Sequence, residues 1–256
     1  MILSKKINLA LGMGLLAMPL IASADWSGKG EVGAALSTAN TGAETTTLAA
    51  KFDLAREDAQ WKHAFGASTI YTSSLAEASA DEPNPSKETS AQRWEAHEQS
   101  DYKFTERSFW FGAVRYENDD IGSFEHQTAI TTGLGHKFID TDETKLSAQV
   151  GAGYKRFKKR TEWNSDGDAI VTGLINLKQT LTANTVLLDK LSAESGSSNT
   201  LIQNELALQV KMTDVLALSL GYQVRYNTKP GPRAYGVGDY AHSDRLLTAN
   251  LVYEFK

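Results

Sequence analysis

The chain has 256 residues, 41% of them hydrophobic and 22% charged, with 26 Lys+Arg against 31 Asp+Glu for a formal net charge of −5. That acidic balance argues against a nucleic-acid partner, which would require a basic stripe. There is no cysteine, so disulfides cannot hold the chain together.

The first segment reads as a secretory signal. Lys5 and Lys6 precede an apolar stretch from Ile7 to Ala17, and Pro19 precedes Ala22-Ser23-Ala24, a small-x-small cleavage site before Asp25. The apolar run is short for a bilayer anchor. Residues 1–24 are therefore expected to direct export through the Sec pathway and be removed, leaving 25–256 as a single domain. Losing two lysines leaves 24 basic against 31 acidic residues, a net charge of −7. No later apolar run is long enough for a membrane helix.

From Trp26 onward, apolar and polar residues alternate, which is the period of a strand. Strands are predicted at 26–38, 43–56, 60–73, 90–104, 108–118, 123–138, 144–157, 169–180, 184–195, 198–212, 214–227 and 242–255, with the one around Thr185 to Glu194 the weakest in pattern. The last two show it best. Leu216, Leu218, Leu220, Tyr222, Val224 and Tyr226 share one face, opposite Ala217, Ser219, Gly221, Gln223 and Arg225. Leu247, Ala249, Leu251, Tyr253 and Phe255 share the next, opposite Thr248, Asn250, Val252 and Glu254. Twelve is an even number, as single-chain bacterial outer-membrane barrels require.

The connections carry a second signal. Every second link is short: Glu57-Asp58-Ala59, Thr105-Glu106-Arg107, Asp140 to Glu143, Leu181-Thr182-Ala183 and Thr213. The long ones, Ser74 to Thr89, Lys158 to Asp168 and Thr228 to Ala241, fall between them, as does Asp119 to Gly122. Short periplasmic turns and longer external loops are the mark of a transmembrane β-barrel. Asn40 and Gly42 suit a tight hairpin. Pro83, Pro85, Pro230 and Pro232 sit in loops, where no ladder hydrogen bond is needed. Aromatic residues near strand ends, among them Trp26, Trp61, Trp94, Tyr102, Trp110, Tyr116 and Tyr253, fit two interfacial girdles.

Ser37-Thr38-Ala39-Asn40-Thr41-Gly42, followed by Thr47 to Arg56 and Trp61-Lys62-His63, resembles the first hairpins of a known family. Gly133-Leu134-Gly135-His136-Lys137-Phe138-Ile139-Asp140, continuing through Lys145-Leu146-Ser147 to Gly151-Ala152-Gly153-Tyr154, resembles its central block. The family is that of salt-induced outer membrane proteins carrying the domain of unknown function 481. The resemblance implies a barrel, an outer-membrane address and a link to salt stress, and brings no catalytic motif. Such barrels usually end on an aromatic residue, whereas here Lys256 follows Phe255. Leu251, Tyr253 and Phe255 keep the alternation by which the insertion machinery is expected to recognise the last strand.

If the apolar faces meet lipid, the polar faces line the lumen. The fourth strand supplies Arg93, Glu95, His97, Gln99, Asp101 and Lys103. The same parity places Lys29, Glu31, Lys51, Asp53, Glu125, Lys137, Lys155, Lys178, Glu205, Lys211 and Arg225 inside. Of these, Lys51, Arg93, Glu95, His97, Asp101, Lys103, Lys155 and Arg225 are the candidate lumen-lining residues. Mixed charges can close a narrow lumen by pairing or discriminate among solutes. A slight basic excess in an acidic chain hints at anions.

Enzymatic readings find little. His242-Ser243-Asp244 is the only tight cluster of triad residue types, but adjacent strand residues point to opposite faces. His63, His97, His126, His136 and His242 show no metal-ligand spacing. Asp166-Gly167-Asp168 lacks the rest of a calcium loop and reads as a turn. The expectation is a monomeric outer-membrane barrel contacting lipid and lipopolysaccharide. It should have no cofactor and no enzymatic role, and act as a narrow solute channel or a structural envelope protein. The alternatives are a lipase-like membrane-embedded hydrolase, or a plugged barrel whose external loops bind a partner.

Overall fold

A computed structural model describes residues 26–38, 44–75, 87–120, 122–231 and 241–256. The expected signal, the hairpin residues Asn40 and Gly42, and Pro83, Pro85 and Pro232 lie outside these residues. Twelve strands follow in chain order: β1 (Trp26–Thr38), β2 (Glu44–Glu57), β3 (Trp61–Leu75), β4 (Lys87–Lys103), β5 (Ser108–Asp119) and β6 (Phe124–Asp140), then β7 (Thr144–Lys159), β8 (Ser165–Thr182), β9 (Thr185–Gly196), β10 (Thr200–Lys211), β11 (Leu216–Asn227) and β12 (Ser243–Phe255). Each pairs antiparallel with its neighbours in sequence, and β1 pairs with β12 from Gly28↔Phe255 to Ala34↔Ala249. The result is a closed barrel, which leaves no sheet edge unpaired.

The alternation that set the strands also sets the faces, and the usual distribution is inverted. Outside, Ile130, Val150 and Val32 are 65%, 63% and 62% exposed, while inside Lys155 and Glu117 are 1% and 2% exposed. Water would punish that arrangement on both sides. Lipid outside and paired charges inside reward it, so this is a transmembrane β-barrel. The apolar band is bounded by rings. At the turn end, Trp61, Tyr102 and Trp110 lie opposite one another on β3, β4 and β5, with Trp61 and Tyr102 5.2 Å apart. Eight residues up β4, Trp94 meets Tyr116 at 5.0 Å. Interfacial levels favour such amphipathic rings.

Links at one end comprise 58–60, 104–107, 141–143, 183–184 and 212–215, all short, whereas β3 ends and β4 begins at the other end, where β11 ends and β12 begins as well. These are called the turn end and the loop end. Strands β4, β6, β7 and β8 run to 16–18 residues, beyond the ~9–11 needed to cross a bilayer. Their surplus stands at the loop end, where Lys87 to Ser90 of β4 are all exposed.

The register corrects two sequence expectations. The link expected from Lys158 to Asp168 contracts to 160–164, and Asp166-Gly167-Asp168 is part of β8 rather than a turn. There, Asp168 accepts hydrogen bonds from Ser197 Oγ, Ser198 N and Ser198 Oγ at 2.8, 2.7 and 2.7 Å. Glu125 leaves the inner row because of an irregularity between Phe124 and His126. Its carboxylate meets Lys158, on the outer face of β7, at 2.7 Å.

The Gly133 to Gly153 block has a packing explanation. Phe109 and Phe111 point inward and are 6% and 4% exposed. A Cβ at Gly135 would sit 2.2 Å from the Phe109 ring, and one at Gly151 2.8 Å from Phe111. Glycines on the inner face of β6 and β7 thus form a floor for two rings that fill one side of the lumen. The other side stays open.

Candidate functional site in the barrel lumen

The open side is a cavity of about 520 Å3 inside the barrel. At the turn end its wall includes Glu57, Lys62, Lys137, Asp140, Lys145 and Lys178, and it reaches inward to Arg93 and Arg225. Five of the sequence candidates, Lys51, Arg93, Glu95, His97 and Arg225, line it. The other three are committed elsewhere. Asp101 is 7% exposed and accepts from Gln99 Nε2 at 2.7 Å. Lys103 donates to Asp58 O at 2.6 Å and pairs with Glu57 at 2.7 Å. Lys155 pairs with Glu194 at 2.8 Å, and its ammonium lies 5.8 Å from the Phe157 ring centroid.

Toward the loop end, a layer of ion pairs crosses the lumen. Arg225 Nη2 meets Glu117 Oε1 at 2.6 Å. Strands β11 and β5 are six places apart in a ring of twelve, so this pair spans the barrel from wall to opposite wall. Arg115 extends the layer to Glu117 at 3.1 Å, to Glu194 of β9 at 2.6 Å and to Glu95 of β4 at 3.5 Å. A second bridge, Lys51 to Glu205 at 3.2 Å, joins β2 to β10. Every carboxylate in the layer has a cation, as burial demands. Sequence reasoning missed Arg115, Glu117 and Glu194, although the first two sit at inner positions of β5, two residues apart. That one carboxylate would take cations from its own strand and from the opposite wall is visible only once the ring is closed.

The loop end is tied down beyond this layer. Ser123 Oγ donates to Pro230 O, Arg160 Nε to Gly122 O at 3.1 Å, and Lys229 Nζ to Ser197 O at 2.8 Å. Gly231, at φ 77°, supplies the left-handed residue that turns the chain after Pro230.

A second polar group lies on the lipid face. Ser100 Oγ is 2.7 Å from His63 Nδ1 and 2.6 Å from Glu98 Oε1. The Trp61 ring stacks on His63 at 5.8 Å. These are the residue types of nucleophilic catalysis, brought together from β3 and β4, whereas His242 instead contacts Asn227 O at 2.8 Å. In this trio the carboxylate engages the serine and not the imidazole. Nothing in it therefore orients the ring as a base, and the strand N–H groups that could stabilise an oxyanion are committed to the ladder. As arranged, the trio serves to satisfy polar groups at the interfacial level. Among the described residues no cluster of His, Asp or Glu is placed to hold a metal ion.

Residues 30–255 match the family described as "Protein of unknown function, DUF481". The chain belongs to the DUF481 family. The match takes in all twelve strands apart from the first four residues of β1. Among curated proteins, the chain is 24% identical over 166 residues to "Uncharacterized protein YdiY" of Escherichia coli (strain K12), an alignment covering 65% of this chain and 63% of that protein. Among solved structures it resembles the NanC porin, with TM-score 0.49 and 12% identity, covering 90% of this chain and 99% of that one. It also resembles the translocator domain of the autotransporter NalP from Neisseria meningitidis, with TM-score 0.48 and 10% identity, covering 91% and 89%. The barrel of this DUF481 protein rests on its own strand pairing, and likenesses this distant say nothing about cargo.

Proposed function

We propose that this protein is a narrow channel for small solutes in the outer membrane of a Gram-negative bacterium. In this reading, residues 1–24 direct Sec export, and the mature barrel is a monomer with its turn end in the periplasm and its loop end outside the cell. The observation that carries it is the cavity, a charged space of about 520 Å3 inside a barrel whose exterior is apolar. The C-terminal strand residues Leu251, Tyr253 and Phe255 would present the insertion signal, and lipid and lipopolysaccharide would contact the band. A role under salt stress is part of the proposal through the family resemblance alone.

Single-channel recording on protein refolded into planar bilayers tests the reading. Small, stepwise conductance supports it; a record indistinguishable from bare bilayer overturns it. A second reading, a closed structural barrel, is favoured by the ion pairs that cross the lumen from β5 to β11. Under that reading, breaking Arg225–Glu117 leaves the record silent. Under the channel reading, it raises conductance, because the layer is then the constriction.

A further inference from the structure

Among the described residues, five carboxylates facing the cavity each have a close cation, and four of its cations have no close carboxylate. Glu31 pairs with Lys29 at 2.7 Å, Glu57 with Lys103 at 2.7 Å, Glu95 with Arg115 at 3.5 Å, Asp140 with Lys145 at 3.3 Å, and Glu205 with Lys51 at 3.2 Å. A sixth acidic residue of the wall, Asp189, is at an outer position, where Asn204 Nδ2 donates to it at 2.6 Å. Lys62, Arg93, Lys178 and Lys190 also line the cavity, and among the described residues none of their side chains comes within ion-pair distance of a carboxylate, although Lys190 feels Glu205 and Glu95, Lys62 feels Glu57, and Arg93 feels Glu117, Asp119 and Asp244 at longer range. The imbalance runs against the charge of the chain as a whole, which is negative.

Position sharpens the chemistry. Lys62, beside Trp61 at the start of β3, and Lys178 near the end of β8 stand toward the turn end. Arg93 lies at the inner end, opposite Asp119 in the β4–β5 register, and Lys190 is on β9 opposite Glu205. Cations inside a low-dielectric wall, in excess over the carboxylates they share with closer partners, focus a positive potential along the cavity that counter-anions from solution can balance. A guanidinium at the closed end offers a planar fork that fits a carboxylate or phosphate group bidentately. The volume falls within the ~300–1,000 Å3 range of small-molecule pockets.

The geometry points to an anion-binding site in this cavity, entered from the turn end. Lys62 and Lys178 draw the ligand in, and Arg93 and Lys190 hold an oxyanion group at the inner end. The ligand class is a small organic or inorganic oxyanion bearing two or more negative charges. The assignment rests on the lumen being the solute path, as proposed above, and names the solute.

The test is calorimetric titration of the barrel refolded in a nonionic detergent at low ionic strength. Pyrophosphate and citrate serve as probes and trehalose as the neutral control. At least one anion binds saturably at one site, and trehalose does not. Binding of pyrophosphate alone assigns phosphate chemistry, and of citrate alone carboxylate chemistry. Arg93→Gln and Lys190→Gln each weaken binding by about tenfold or more, whereas Lys159→Gln, which removes a loop-end charge paired with Glu162, leaves it unchanged. Because neither cation makes a close ion pair with a described residue, both variants refold and keep heat-modifiable migration on gels. Failure of both to refold would overturn the assignment by showing them to be structural charges. So would the absence of saturable binding, or binding that the double variant leaves intact. Binding is read on protein in detergent, independently of conductance. Anion binding without conductance keeps the site and ends the channel; conductance without anion binding does the reverse.

Discussion

Substituting arginine for Leu220 on β11 tests the barrel's orientation toward lipid in a single residue. Leu220 faces outward and is 53% exposed. It lies four residues from Leu216, which is opposite Tyr253, and six from Tyr226. A rise of about 3.4 Å per residue and a tilt near 40° place it ~10 Å into an apolar band ~25 Å tall, close to the middle. Arginine there costs about 2–4 kcal/mol, against ~0–1 at the interface, which corresponds to a loss of about 30- to 700-fold in the folding equilibrium. Leu216→Arg, at the turn-end boundary, should therefore be mild. Gln223→Arg should also be mild, since Gln223 is an inward residue of the same strand on the cavity wall. The assay is urea unfolding of protein refolded in lipid vesicles, followed by tryptophan fluorescence. Equal destabilisation by Leu220→Arg and Leu216→Arg would show that no depth-dependent band exists. A larger loss for Gln223→Arg than for Leu220→Arg would mean that the faces are reversed.

Further outcomes follow from other sites. A cysteine replacing Trp163, which is 98% exposed at the loop end, should label with an impermeant reagent on intact cells. One replacing Asn184 at the turn end should label only after the outer membrane is opened. Glu117→Ala leaves Arg225 without its 2.6 Å partner and should lower stability by about 3–5 kcal/mol in the same unfolding assay. Adding Arg225→Ala should restore part of that loss, with the double-mutant cycle reading the coupling. Gly135→Val drives its side chain into the Phe109 ring and should cost about 1–3 kcal/mol through overpacking, whereas Ala152→Val on the outer face should be near neutral. In the β2–β3 turn, Asp58 accepts the N–H of Trp61 at 2.7 Å and of Gln60 at 2.9 Å, and these bonds hold its carboxyl below the usual carboxylate range. That contribution is present above about pH 4 and fades as pH falls through the depressed value. Acid titration of unfolding should show the loss in the parent protein and not in Asp58→Asn.

The amino-acid sequence by itself determined the strands and their faces. Period-two alternation places Leu218, Leu220, Leu251 and Tyr253 on one side and Ser219, Thr248 and Asn250 on the other, and the structure keeps every one of them there. Even β9, whose Val186-Leu187-Leu188 run blurs the alternation, falls where predicted, because its neighbours and the even strand count leave one place for it. The weaknesses were local. One extra residue near Phe124 took Glu125 out of the inner row, since every position past a bulge changes face. What only the tertiary structure decided is which inner residues meet. Parity says that Arg225 and Glu117 point into the lumen, but 108 residues separate them in sequence, and their contact depends on barrel diameter, stagger and the bulk of Phe109 and Phe111 between the walls. The same holds for Ser100 and His63, neighbours through the β3–β4 register. Alternation is a property of one strand and is written along the chain. Closure sets distances across the ring, and so chooses which charges cancel and which remain to face a solute.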